Sequence, residues 1–393
     1  MLMEKIITIS SFALLLGITL FPSLTLAEVF EKELAVDETL IIGNDDLPKG
    51  WTVASDPELV KLGKTWWMFF NSIQLDFKKN LPIHVLAARL PPGEKLSASP
   101  DKWTVLSSPV ISPGPKGSWD DRTIETTKYV YGYDPGVKKF VARLYYVGWP
   151  VQKGDGKKNY QISFVQWDET KRQWIKHGKP IISATNPWEM LNGSSFIGDQ
   201  SAYYEPGPGR HGEDGTWHMW YQAVSKPQDF GTSLVHITSK DGITWANKKR
   251  LTHTVPFPNQ FVKTGPFSID VLVRNGRYYF AGFLYNHQDL YKQGLWITSS
   301  STPDGSAAGD FTDWHPLIFE NNGVKWHDSG LESSKCHATG LFAPTLREED
   351  GKVWMFYHGY YRTGEVEDPC TDKSKNSGVI GRAFIEHFSE IVR

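Results

Sequence analysis

Acidic residues recur at long and similar intervals along the chain, each near the start of a short apolar stretch. Asp56, Glu125 and Asp199 are the clearest examples, and Asp270 follows in a fourth stretch. Carboxyl groups that share one pocket repel each other, so that one keeps its proton at a pH at which its neighbour is ionised. Such a pair can give and take protons in one reaction. These residues therefore predict acid–base chemistry, provided that the fold brings them together.

Five copies of one aromatic strand supply the elements that would do so. The copies are KTWWMFF at 64–70, FVARLYY at 140–146, TWHMWYQA at 216–223, RYYFAGF at 277–283 and VWMFYHG at 353–359. A shorter apolar strand and, in most copies, a Gly-containing turn come before each of them, as in a β-hairpin. This repetition predicts an all-β fold, a five-bladed β-propeller, with residues 378–388 as its last outer strand. A β-sandwich also uses short strands, but it does not need five copies of one hairpin.

The innermost strand of each propeller blade lines the central channel, so that equivalent positions converge at one end of it. We align the inner strands at Asp56, Glu125, Asp199, Ser268 and Ala343. Asp270, two residues after Ser268, lies on the same face of its strand. We therefore expect three or four carboxylates around the axis. The alternative is that they only accept hydrogen bonds from strand ends and turns.

Four segments carry a resemblance to a known group of enzymes. They are SDPELVKLGKTWWMFF at 55–70, GSWDDRTIET at 117–126, SKDGITW at 239–245 and APTLREEDGKVWMFYHG at 343–359. As a pattern they resemble the five-bladed propeller glycosidases of glycoside hydrolase family 43 and its relatives in families 32, 68 and 117. The resemblance implies hydrolysis of glycosidic bonds in poly- or oligosaccharides by an Asp base, a second Asp that tunes the acid, and a Glu acid.

Three residues match these roles by position. The resemblance implies that Asp56 is the base and Asp199 the tuning residue. The Glu of that group usually follows the tuning Asp, whereas the Glu in register here is Glu125, one blade earlier. We take Glu125 as the acid, with Asp270 and Glu205 as reserves or substrate contacts. Because the Glu in register lies one blade too early, the alternative is a carbohydrate-binding propeller that has lost its general acid. A protein-interaction scaffold is less favoured, since it does not need clustered carboxylates.

Other residues are candidates for contact with a substrate. Trp119, Asp120 and Asp121 precede the second inner strand in a predicted loop, where a ring can stack on a sugar and carboxylates can bind its hydroxyl groups. Capping a turn is the alternative for the two aspartates. His337, just before the fifth inner strand, is a candidate sugar ligand or acid, although lone histidines are usually structural. The tryptophans within the repeated strands are expected to pack in the cores of the blades and not to stack on a sugar.

The remaining sequence bears on the cellular setting. Residues 1–27 combine an apolar run with a small-residue ending, as in a signal peptide, and the run is short for a membrane span. Cleavage after Ala27 leaves a single domain, 28–393, that we expect to be secreted and free of the membrane. The net charge of −2 provides no basic surface for nucleic acid.

The sequence contains two cysteines and no motif of an organic cofactor site. Cys336 and Cys370 are expected to form a disulfide in an oxidising compartment, with two free thiols as the alternative. No motif demands an organic cofactor, and we expect none to be required. The resemblance to family 43 implies that a calcium ion can bind at the propeller axis, although the sequence contains no contiguous calcium-binding loop.

Overall fold

A computed structural model describes residues 33–75, 82–150, 159–224, 232–251, 267–284, 294–306, 310–319, 341–362, 376–388 and 391. These residues belong to one compact unit, Glu33–Arg393. The predicted signal peptide, His337, Cys336 and Cys370 lie outside the described residues. Within the described ranges, no helix is long and apolar enough to cross a membrane.

The regular secondary structure of the described residues consists of β-strands and three short 3-10 turns. After β1 (Ala35–Ile42), blade 1 contains β2 (Trp51–Leu62), β3 (Thr65–Gln74), β4 (Ile83–Arg89) and β5 (Thr104–Val105), and blade 2 contains β6 (Thr123–Asp134), β7 (Lys139–Trp149), β8 (Gln161–Asp168) and β9 (Gln173–Lys176). A hairpin of β10 (Met190–Leu191) and β11 (Ser194–Ser195) leads into blade 3, with β12 (Ile197–Glu205), β13 (Thr216–Val224), β14 (Thr232–Ser239) and β15 (Trp245–Arg250). Blade 4 contains β16 (Phe267–Arg274), β17 (Arg277–Leu284), β18 (Gly294–Ser300) and β19 (His315–Phe319), and blade 5 contains β20 (Leu341–Glu349), β21 (Lys352–Arg362) and β22 (Asn376–Ile385). Short 3-10 turns lie at Asn44–Asp46, Pro100–Lys102 and Pro187–Glu189.

Blade 5 is completed by the first strand of the described chain. β1 pairs antiparallel with β22, so that the strand order is β1-β22-β21-β20. The predicted last outer strand, residues 378–388, corresponds to β22, which lies third from the axis in the outer half of the blade, and β1 covers its outer edge. Pairing of strands from both ends of the chain in one blade ties the ring of blades together and leaves no open edge on β22.

The repeated aromatic strands fill the space between blades. Side chains along β13 alternate between its two faces, so that Trp217 and Tyr221 pack with residues of blade 2 while Trp220 packs with residues of blade 4. All three side chains are fully buried. Truncation of such a ring typically costs about 3–5 kcal/mol, which makes these contacts a main source of stability. The predicted packing role of the tryptophans in this strand is confirmed.

Each inner strand contains a β-bulge close to its start. The pairing register shifts there in all five blades, and the bulged residues have φ between 45° and 50°. These residues are Asp56, Thr126, Asp199, Ser268 and Ala343. The predicted alignment was wrong in blade 2, where Thr126 is the residue equivalent to Asp56 and Asp199, and Glu125 precedes it. A bulge redirects a side chain out of the regular alternation of the strand, and bulges are frequent next to functional sites.

Candidate active site

Asp56 lies at the bulge of β2 among groups from two blades. Its Oδ2 accepts hydrogen bonds from Asn71 Nδ2 and from Ser55 Oγ, the latter at 3.4 Å, and its Oδ1 lies 3.8 Å from His358 Nδ1 in blade 5. Burial, followed by the negative charges of Asp199 and Glu125, raises the pKa of Asp56 from 3.8 to about 8. Asp56 therefore carries a proton at neutral pH.

Asp199, at the bulge of β12, is held from both sides by the equivalent residues of the neighbouring blades. Thr126 Oγ1 donates to its Oδ1 and Ser268 Oγ donates to its Oδ2, each at 3.2 Å. Burial raises the pKa of Asp199, and these hydrogen bonds oppose the increase. The two contacts bring the bulges of blades 2, 3 and 4 together, as equivalent positions of a propeller require.

Glu125 joins the cluster from the position just before its bulge. Its Oε1 accepts a hydrogen bond from Trp149 Nε1 at 2.9 Å. Glu125 and Asp199 line one cavity of about 220 Å³ between blades 2 and 3, together with Tyr160, Phe196 and Gln222. Burial and the two carboxylates raise the pKa of the Tyr160 hydroxyl. Asp56, Glu125 and Asp199, the three predicted catalytic residues, are thus close enough to influence one another and the groups around them.

Tyr160 and Phe196 contribute aromatic rings to the lining of this cavity, and both belong to a row of rings that continues with Trp149. The rings of Trp149 and Tyr160 are 5.2 Å apart between centroids, and those of Tyr160 and Phe196 are 5.3 Å apart. The Arg122 guanidinium carbon lies 4.4 Å from the centre of the Trp149 ring. The cavity therefore combines flat apolar surfaces with carboxyl groups, a combination that suits a ligand with both apolar faces and hydroxyl groups.

A second ring of side chains, the lower ring, lies two residues further along each inner strand. Its members are Glu58, Lys128, Ser201, Asp270 and Thr345, one from each blade, and all are buried. The Lys128 ammonium lies 3.0 Å from Glu58 Oε2 and also contacts Asp270 Oδ1. Arg347 adds a second cation, 2.7 Å from Glu58 Oε1 and 3.4 Å from Asp270 Oδ2. Two positive charges thus balance two negative charges in this layer.

The lower ring contradicts the prediction that Asp270 contacts a substrate. The Asp270 carboxylate accepts hydrogen bonds from Lys128, from Ser201 Oγ at 3.2 Å and from Leu346 N at 2.7 Å. Burial opposes its ionisation, but Lys128 and Arg347 hold the pKa of Asp270 below its ordinary value. Asp270 is therefore an ionised member of a closed network, displaced from the bulge by two residues and fully buried.

The same network bears on the expected calcium ion. Oxygen ligands such as the carboxylates of Glu58 and Asp270 are those that calcium prefers, but both already bind Lys128 and Arg347. In the part of the chain that the structure describes, no group of three or more His, Cys, Asp or Glu side chains is arranged to hold a metal ion. The described residues do not fit an axial calcium ion.

The predicted substrate contacts in the loop before β6 make turn and packing contacts in the structure. The Asp120 carboxylate is buried and accepts from Tyr146 OH at 3.0 Å and from Lys176 Nζ at 2.6 Å. Asp121 accepts from the backbone N–H of Gly117 at 2.6 Å, and the Trp119 ring stacks on that of Tyr146 at 5.6 Å. These are turn and packing contacts, the alternative that the sequence had offered for the aspartates, and contact of Trp119, Asp120 and Asp121 with a substrate stays a prediction.

Glu205 is also separated from the cluster. It ends β12, six residues after Asp199, a strand distance of about 20 Å. Its side chain is 52% exposed and lies 3.2 Å from His218 Nε2. Glu205 is thus at the opposite end of the inner strand, and its predicted role as a reserve acid or substrate contact was wrong.

Three polar residues of the site were not predicted from the sequence. Asn71, Gln222 and His358 lie on the second strands of blades 1, 3 and 5, each paired with the residue just before a bulge. Each directly follows an aligned aromatic residue of the repeated strand, namely Phe70, Tyr221 and Tyr357. Comparison of the second strands in register would therefore have identified these positions, because the repeat that predicted the blades also aligns them.

Comparison with solved structures identifies the architecture. A protein described as a glycoside hydrolase has a TM-score of 0.56 over 91% of this chain and 92% of that one, at 15% sequence identity. The α-L-arabinofuranosidase PaAbf62A from Podospora anserina has a TM-score of 0.52 over 88% and 94% of the two chains, at 10% identity. An α-L-arabinofuranosidase from Lactobacillus brevis has a TM-score of 0.51 over 86% and 93%, at 13% identity.

These similarities concern the fold. No protein-family model and no curated protein matches the sequence. The five-bladed β-propeller predicted from the repeats is confirmed, and so is the resemblance to the propeller glycosidases at the level of fold. Because one fold hosts many activities, the function must be argued from the carboxyl cluster itself.

Proposed function

We propose that this protein hydrolyses glycosidic bonds in poly- or oligosaccharides with Asp56, Glu125 and Asp199 as its reacting carboxyl groups. The observation that carries the proposal is their convergence, because three blades each supply one carboxyl group, and burial followed by the charges of Asp199 and Glu125 raises the pKa of Asp56. Like charges in one buried site are costly to the fold. Glycoside hydrolysis needs such a site, since it uses one protonated and one ionised carboxyl group around the scissile bond.

The protonation states of the three carboxyl groups suggest which catalytic role each of them has. Asp56, with a pKa of about 8, is the proton donor to the leaving oxygen. Glu125 takes a proton from water as the water oxygen attacks the anomeric carbon and the bond to the leaving group breaks. Asp199 tunes the proton affinity of Asp56 through its charge. This proposal exchanges the roles that the family resemblance implied for Asp56 and Glu125.

The size of the cavity supports a small binding unit. Its volume of about 220 Å³ is below the range of roughly 300–1,000 Å³ that is usual for drug-sized ligands. One sugar ring is a ligand of suitable size, and Tyr160 and Phe196 add aromatic surface to the carboxyl groups that line the cavity. We also propose that the protein is exported after cleavage at Ala27, which N-terminal sequencing of the mature protein tests.

A second candidate function is carbohydrate binding without hydrolysis. The observation in its favour is Ser268, which occupies the bulge of blade 4, where the related enzymes are expected to carry their Glu acid. Ser268 donates a hydrogen bond to Asp199 and supplies no carboxyl group. If Asp56 does not serve as the acid, the cluster retains a sugar-binding surface but lacks a proton donor.

Hydrolysis and binding measured side by side distinguish the two functions. A panel of aryl glycosides and polysaccharides is tested with the wild type, Asp56→Asn, Glu125→Gln and Asp199→Asn, with Glu205→Gln as the control far from the cluster. For a hydrolase we expect loss of activity of roughly 100-fold or more in the Asp56 and Glu125 variants, with binding retained. Binding without turnover in every protein would support the second function.

The pH dependence of the wild type tests the assignment of Asp56. Because the donor must be protonated, kcat/KM is expected to fall as the pH rises through about 8, the pKa of Asp56. A rate that instead increases through this range would make Asp56 the base, as in the resembling enzymes, while leaving glycoside hydrolysis in place.

A further inference from the structure

Gln222 is a buried polar residue in the site that the proposed reaction does not use. It lies on β13, where it pairs with Gly198 beside the bulge of blade 3. Gln222 is 7% exposed and lines the cavity with Glu125 and Asp199. A polar side chain so deeply buried normally has all its hydrogen-bonding groups satisfied.

The amide of Gln222 is held in one orientation by blade 4. Its Oε1 accepts a hydrogen bond from the backbone N–H of Ser268 at 3.1 Å. The contact engages the carbonyl side of the amide, so the NH₂ group is directed away from Ser268. Among the described residues, Nε2 donates to no partner. The cavity is where a matching acceptor has to come from.

The neighbours of Gln222 indicate which acceptor fits. Glu125 and Asp199 are acceptors when ionised, and Asp199 already receives two hydrogen bonds. A ligand in this cavity therefore meets carboxylates that bind its donors and an amide that binds one of its acceptors. Sugar hydroxyl groups act as donor and acceptor at once, and Tyr160 and Phe196 add apolar surface for the carbon atoms of a sugar ring.

We propose that Gln222 Nε2 donates a hydrogen bond to one hydroxyl oxygen of the sugar ring in this cavity and thereby makes that hydroxyl group a requirement for binding. The inference rests on the proposed function, because the ligand is taken to be a carbohydrate. A site built to bind a hydroxyl group rejects the analogue that lacks it, since the buried donor is then left without a partner. Gln222 is thus a specificity-determining residue, and the class of ligand it excludes is the corresponding deoxy sugar.

Two substitutions separate this role from a structural one. Gln222→Glu keeps an oxygen for the N–H of Ser268 but replaces the donor by an acceptor, whereas Gln222→Met removes both groups. Gln166→Glu is the matched control, because Gln166 Oε1 likewise accepts a hydrogen bond, from Arg143 Nε at 3.0 Å, and the residue lies on β8 outside this cavity. Thermal unfolding of all three variants reports on the fold.

Binding is measured by calorimetry with a panel of mono- and disaccharides and with the monodeoxy analogues of the best ligand. We expect Gln222→Glu to bind that ligand at least tenfold more weakly, while Gln166→Glu binds like the wild type. One monodeoxy analogue should bind the wild type about tenfold more weakly than the parent sugar, yet Gln222→Met should bind the two equally.

Each outcome bears on one of the two proposals. Equal affinity of the wild type and Gln222→Glu, or discrimination against every deoxy analogue that persists in Gln222→Met, would overturn the role of Gln222 even if the protein is a hydrolase. The expected pattern with a sugar that is bound but never cleaved would uphold the role of Gln222 and overturn hydrolysis. Absence of both binding and turnover across the panel would overturn both.

Discussion

Replacing Asp56 by Asn removes an ionisable group from the carboxyl cluster while keeping the shape of the side chain. The pKa of Asp56 is about 8 in the folded protein, against an ordinary value of 3.8. Between these values the unfolded chain has released the proton and the folded chain retains it. The free energy of unfolding of the wild type therefore falls as the pH rises, by about 1.4 kcal/mol per pH unit from this group alone.

The expected difference is large enough to measure. Between pH 5 and pH 7 the wild type should lose about 2.7 kcal/mol that the Asp56→Asn variant does not lose. The free energy of unfolding of the variant minus that of the wild type should therefore increase by this amount between pH 5 and pH 7. Asn tolerates the left-handed backbone at this position, where φ is 50°. It also retains an oxygen that can accept the hydrogen bond from Asn71.

Urea unfolding at pH 5, 6 and 7 measures this effect. The proteins are the wild type, Asp56→Asn and Glu205→Gln, the last of which neutralises an exposed carboxylate at the opposite end of β12. We expect the control to follow the wild type. If Asp56→Asn follows it as well, with the same dependence on pH, then the pKa of Asp56 is not raised and the cluster does not hold the proton on which its assignment as the acid depends. A constant difference at all three pH values would trace the effect to packing.

Two further predictions concern the buried networks. Lys128→Met leaves Glu58 and Asp270 without their shared ammonium and should lower the free energy of unfolding in urea by about 3–5 kcal/mol. The control, Lys61→Met, removes a half-exposed contact with Glu349 and should lower it by about 0–1 kcal/mol. Equal effects of the two substitutions would argue against a buried charge network. Burial, and then His218, lowers the pKa of His236 to about 3, so the unfolded chain takes up a proton below pH 6.5 and the folded chain does not. His236→Gln should therefore reduce the loss of stability between pH 6 and pH 4 by about 1.4 kcal/mol per pH unit, and acid-unfolding curves parallel to those of the wild type would contradict it.

Local sequence patterns were sufficient to predict the blades. Hairpins depend on neighbouring residues, and the aromatic side chains of a repeated strand such as 216–223 must alternate between two buried faces whatever the surroundings. The predicted packing of Trp217 and Trp220 follows from this alone. The long spacing of Asp56 and Asp199 was informative for the same reason, since equivalent strands of a closed ring meet at one axis.

The chemistry at the axis depended on features that no local pattern contains. A β-bulge adds one residue to a strand, and it moved Thr126 into the place predicted for Glu125. Two residues of displacement placed Asp270 in a layer whose cations come from blades 2 and 5. The donor of Gln222 is defined by a contact with blade 4, 46 residues away. The pairing of charges and the orientation of amides across the axis are properties of the closed ring, because the partners are neighbours only after all five blades have assembled.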